Sequence, residues 1–165
     1  MFDAPRKSAE IIQKIVNQFE ELKLSLSAIA KLSDLEFHRQ IETYSVNENP
    51  KNVANEVRSF LYPRFDKNRR NFLKSLINEL ASKNILVFEF IETWNKKEKA
   101  NIDGFYLKPN MIVLKRHQSF SREIFTLAHE LGHYLLDEEE IEEINYNDFN
   151  KTIKQVRKQI YRPSR

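Results

Sequence analysis

The chain has 165 residues, 41% hydrophobic and 31% charged, a composition that fits one soluble globular domain rather than a disordered or membrane-spanning chain. Net charge is only +3, so the overall balance does not by itself point to nucleic acid. The absence of cysteine excludes disulfides, iron–sulfur clusters, thiolate zinc sites and cysteine nucleophiles, and two glycines exclude a Gly-rich phosphate loop.

From about Ser8 to Tyr44 the apolar spacing is helical, led by Ile11, Ile12, Ile15, Val16 and Phe19, with a break at Ser33-Asp34 and a recapped helix over Leu35–Ile41. The start of the chain lacks an uninterrupted apolar run, so no signal peptide and a cytoplasmic location are expected. Val46–Lys51, with Asn47, Asn49 and Pro50, is the clearest boundary. It separates a helical N-terminal region, residues 1–46, from a domain over 47–165. Two further helices are predicted over Asn52–Tyr62, stopped by Pro63, and over Arg69–Ser82. The period then changes. Ile85–Ile91 reads as a strand, too short to span a membrane, and Ile102–Leu107 and Met111–Lys115 flank the turn sequence Lys108-Pro109-Asn110 as a hairpin. A helix capped at Ser121, with Glu123 in its first turn, carries Leu127, Leu131 and Leu135. The expected class is α+β: N-terminal helices, a small antiparallel sheet with a hairpin, then one more helix.

That last helix contains His129-Glu130-Leu131-Gly132-His133, an HExxH motif. Residues four apart lie one above the other, about 6 Å along the axis, so both imidazoles reach one ion. Neutral imidazole suits zinc, and Glu130 projects beside the metal, placed to take a proton from the activated water that attacks a peptide carbonyl. Chance gives such a motif in roughly 1% of chains with this His and Glu content. The hairpin offers an edge strand on which an extended peptide can pair. Gly132, inside the helix, is read as a point of close backbone packing.

Ile102-Asp103-Gly104-Phe105, Met111-Ile112-Val113-Leu114 and Arg122–Ala128 running into His129–His133 together resemble the ImmA/IrrE family of metallo-endopeptidases. The resemblance spans about residues 50 to 136, and Phe125-Thr126-Leu127-Ala128-His129-Glu130-Leu131-Gly132-His133 is its specific part. It implies a zincin-like fold for residues 47–165, one zinc ion held by His129 and His133, and Glu130 as general base. It also implies cleavage of a helix-turn-helix repressor, and so a role in transcription regulation in bacteria, phages or mobile elements. Family members add a downstream glutamate, often in E-x-x-A-N or E-x-x-C-N, and neither pattern occurs here.

The acidic block Asp137 to Glu143 lies nearer, but Asp137 is about 12 Å of helix rise from His129. Glu140, Glu142 or Glu143 reaches the ion only if the chain turns back soon after Leu136. Otherwise the chain is C-terminally truncated relative to the family, or takes its third ligand from another chain. The alternative reading is an impaired relative that binds a regulator or nucleic acid without cleavage. His117 reads as a polar loop residue with a conceivable oxyanion role, His38 as a surface residue and Tyr134 as packing. The N-terminal helices lack the turn glycine of a helix-turn-helix, so direct DNA binding is not expected. The basic tail, Lys151 to Arg165, reads as a solvated helix.

Overall fold

The computed structural model describes residues 4–92 and 101–141. Four helices and three strands follow in the order α1 (Ala4–Leu32), α2 (Pro50–Leu61), α3 (Arg69–Ser82), β1 (Leu86–Phe90), β2 (Gly104–Leu107), β3 (Met111–Lys115) and α4 (Phe120–Leu136). The class is therefore α+β. No helix among the described residues is long and apolar enough to cross a membrane.

Local chemistry sets the helix ends. The Asn49 side chain accepts a hydrogen bond from Lys51 N–H ahead of α2, with Pro50 in the first helical turn, and Asn68 accepts from Arg70 and Asn71 ahead of α3. The sheet carries apolar side chains on both faces. Phe105, Leu107, Met111 and Val113 point to one side, where Ile12, Val16 and Phe19 of α1 cover them. Tyr106, Ile112 and Leu114 point to the other, against Leu73, Leu76 and Leu80 of α3 and Leu127, Leu131 and Tyr134 of α4. This two-residue alternation, with both faces buried, explains why β3 is apolar at every position but Lys115.

Two expectations are corrected. The sheet is mixed rather than antiparallel: its order is β1-β3-β2, with β2 antiparallel to β3 but β1 parallel to it. The most apolar strand takes the centre, and the hairpin therefore presents β2 as the edge. The second correction concerns Leu35–Ile41, which is not helical. Asp34 adopts a positive φ of 51° beyond the end of α1, and the following chain crosses to α4. There Tyr44 N–H donates to Leu135 O, 2.9 Å, and the Arg39 guanidinium donates to Ile41 O and Tyr134 O, both 2.6 Å. These bonds replace the helical ladder that the segment gives up.

Candidate metal centre

α4 begins two residues earlier than the capping pattern suggests. Ser119 occupies the N-cap position without a side-chain cap bond. Glu123 of the first turn instead turns inward, 1% exposed, and accepts the His117 backbone N–H at 2.7 Å. Burial raises its pKa above the ordinary glutamate value; the His117 N–H opposes that, and the neighbouring Glu89 carboxyl adds to it.

At 100° per residue, Arg122, Thr126, His129 and His133 fall on one side of α4, while Leu127, Glu130, Leu131 and Tyr134 turn toward the sheet and α3. His129 Nε2 and His133 Nε2 lie 3.3 Å apart, with the rings at 78° to each other. Two imidazole nitrogens bound at about 2.0–2.1 Å to one tetrahedral ion are separated by about 3.3–3.4 Å. The pair thus has the spacing and the lone-pair donors that a divalent transition metal needs, and the two residues fit such an ion. Glu130 is 5% exposed and lies on the neighbouring, sheet-facing side of the same turn. Among the described residues no group of three or more His, Asp or Glu is placed to hold a metal ion.

The acidic block divides. α4 ends at Leu136, and Asp137 takes a left-handed conformation (φ 54°) that turns the chain, with Asp137 and Glu138 N–H closing on the carbonyls of the last helical turn. The chain therefore does turn back, but toward the hairpin. Asp137 lies 3.5 Å from Lys108 Nζ and accepts from Tyr106 Oη at 3.4 Å, and Glu139 accepts the Lys108 backbone N–H. Glu140 is exposed on the segment that follows, and Glu142 and Glu143 lie outside the described residues.

The other histidines separate in the same way. His38 pairs with Glu36 on the surface, both side chains nearly four-fifths exposed. His117 Nε2 lies 3.0 Å from Asp103 Oδ1, and Arg122 Nε donates to Asp103 Oδ2 at 2.6 Å. Asp103 is 2% exposed. Burial alone works against its charge, yet the bonds from His117 and Arg122 outweigh that and hold the carboxyl below the usual aspartate range. Tyr134 is a packing residue: it is 1% exposed, edge-on to Tyr106, with the Arg39 guanidinium 3.9 Å from its ring centre.

The reading of Gly132 as a point of close packing is corrected. Nothing lies within 4 Å of a Cβ built on Gly132, so it is not a point of close packing. It faces an apolar groove between α2, α3 and α4 instead. The tight position is Gly104, and its signal in the sequence is a glycine inside an otherwise apolar strand. Arg39 was equally hidden, because its partners lie 2 and 95 residues away.

A helix bearing HExxH over a small mixed sheet defines a class of site, the two-histidine metal centre with an adjacent carboxylate. Residues 82–162 match the family model of the IrrE N-terminal-like domain, peptidase family M78. That stretch runs from the end of α3 through the sheet and α4, and the match is consistent with the ImmA/IrrE family of metallopeptidases, a family that implies a hydrolase with a metal cofactor. α2 and nearly all of α3, which the resemblance took in, lie ahead of the match. No curated protein and no solved structure matches the chain.

Proposed function

We propose that the protein is a zinc-dependent endopeptidase that cuts a regulatory partner, a repressor of the helix-turn-helix type. One observation carries the reading: two imidazole nitrogens 3.3 Å apart on one face of α4, with the buried Glu130 carboxylate on the same turn. His129 and His133 would hold the ion. A zinc ion there supplies Lewis acidity, lowering a water's pKa toward about 7 and polarising a carbonyl. Glu130 takes the proton of the attacking water and passes it to the leaving amine. The peptide pairs as an extended strand with the edge strand β2, whose Gly104 lies against Thr126 and Glu130 of α4. His117 is committed to Asp103, which favours a structural role for it over an oxyanion role.

A second reading, a relative that binds its regulator without cutting it, draws support from the acidic block. Asp137 and Glu139 are engaged by the hairpin rather than turned to the imidazoles. Metal analysis of the purified wild type and Glu130→Gln, followed by incubation with a repressor encoded beside the gene, separates the two. The peptidase reading expects one zinc per chain in both proteins and cleavage by the wild type only, with the variant slower by about 10²–10⁴-fold. Zinc in both with no cleavage by either supports the binding protein. Absence of metal from both sinks the metal centre, and cleavage that survives Glu130→Gln sinks the proposed base.

A further inference from the structure

One side of α4 is left uncovered by the described residues. Ala128, Gly132, Leu135 and Leu136 form a wall of an apolar groove of about 710 Å³, closed on the far side by α2 and α3. Ala128 and Gly132 are the chain neighbours of His129 and His133, so this groove flanks the candidate metal centre. Its rim carries Val46 and Phe65, 68% and 74% exposed. An apolar concavity of this size on a soluble domain marks a surface built to be covered.

We propose that the occupant is this chain's own C-terminal segment, residues 142–165. Its sequence carries Phe149, Ile153, Val156 and Ile160 at spacings of four, three and four, a single stripe about 16 Å long when read as a helix. On that reading Lys151, Lys154, Lys158 and Arg162 all fall on the opposite side, which remains in water. The stripe matches the groove wall, since Ala128 to Leu136 spans about 12 Å of helix. The connection is long enough: the eight residues from Ile141 to Phe149 reach up to about 26 Å, the whole length of α4. The family match also extends through residue 162, so the segment belongs to the same matched domain as α4.

The cysteine-free chain makes the test clean. In the full-length protein, Ala54→Cys on the groove wall is paired in turn with Phe149→Cys, Ile153→Cys and Val156→Cys, so that an error of register is covered. Ser27→Cys on α1 with Ile153→Cys is the control. Mild oxidation is expected to link most chains intramolecularly in at least one of the three groove pairs, at least ten times more than in the control. Equal linkage in the control overturns the proposal, as does failure of all three pairs. Linkage only between chains overturns it too, in favour of a second copy as occupant.

Discussion

Gly104 lies directly against Glu130. A Cβ at position 104 would stand 3.3 Å from Glu130 Cγ, 2.8 Å from Thr126 Cγ2 and 2.7 Å from Val113 O. β2 and α4 therefore approach at a distance only glycine permits, and the side chain of Glu130, the proposed base, rests on that contact. The φ of Gly104 is not positive, so the requirement is one of space, not of backbone conformation.

Gly104→Ala is expected to cost about 1–3 kcal/mol of stability by overpacking. Two of the atoms it meets belong to backbone and to a buried threonine, neither of which yields easily. Because the displaced neighbours include Glu130, peptidase activity should fall further than the loss of folded protein accounts for. Urea unfolding with cleavage rates on the fully folded fraction checks this. An alanine variant with wild-type stability and rate would show that the contact is relaxed at no cost.

Arg39 ties the segment after α1 to the last turn of α4, where His133 sits. Its guanidinium, about a quarter exposed, donates to Tyr134 O and Ile41 O and stacks on the Tyr134 ring. A cation at a helix C-terminus also meets the negative end of the helix dipole. Arg39→Ala is expected to lower stability by about 2–3 kcal/mol, and Arg39→Lys to restore less than half of it, since an ammonium cannot reproduce the fork. Chemical denaturation of both variants decides the point; full rescue by lysine would reduce the interaction to charge alone.

These residues also show what could be read in advance. The histidine pair was legible because its geometry is local: residues four apart on a helix meet whatever the rest of the fold does. The hairpin and α3 were legible for the same reason, as turn chemistry and a clean 3.6-residue period. The parallel pairing of β1 with β3 was not, because it depends on which strand wins the buried centre of the sheet. Nor was the loss of helix over Leu35–Ile41, where Arg39 finds a carbonyl 95 residues away. Gly132 and Gly104 look alike in the sequence, and only the surrounding atoms reveal that one faces open space and the other a crowded contact.

Asp103 and Glu123, at the N-terminal end of α4, should make opposite contributions to the pH dependence of stability. The Asp103 pKa is lowered in the folded state, so its stabilisation is full above the unfolded value of about 3.9 and disappears as pH falls through the depressed folded value. Asp103→Asn is therefore expected to cost about 1.5–3 kcal/mol at neutral pH, with the gap to wild type closing in strong acid. The Glu123 pKa is raised, so its contribution is full below about 4.3 and is lost as pH rises through the higher folded value. Glu123→Gln keeps an acceptor for the His117 N–H and should leave the protein as stable as wild type in acid but more stable at neutral pH. Urea titrations from pH 3 to 8 measure both slopes. A Glu123→Gln variant whose advantage shrinks as pH rises would contradict the burial argument.

The proposed metal centre makes the sharpest demand on its two imidazoles. Each supplies one of the nitrogens that stand 3.3 Å apart, so removing either leaves a single histidine on α4. His129→Ala and His133→Ala should each weaken zinc binding by more than about 100-fold, beyond the usual 10–100-fold effect of losing a residue that only orients a ligand. Both positions are partly or fully exposed, so the apo proteins should unfold close to the wild type. The difference appears on adding zinc: the wild type should gain about 2.7 kcal/mol at a hundredfold excess over its Kd, and the variants less than about 0.4 kcal/mol at the same concentration. His38→Ala, remote on the surface with Glu36, should keep the full zinc response. A wild-type chain whose melting temperature ignores zinc would sink the metal centre, and a His129→Ala chain that still responds would place the ion elsewhere than between His129 and His133.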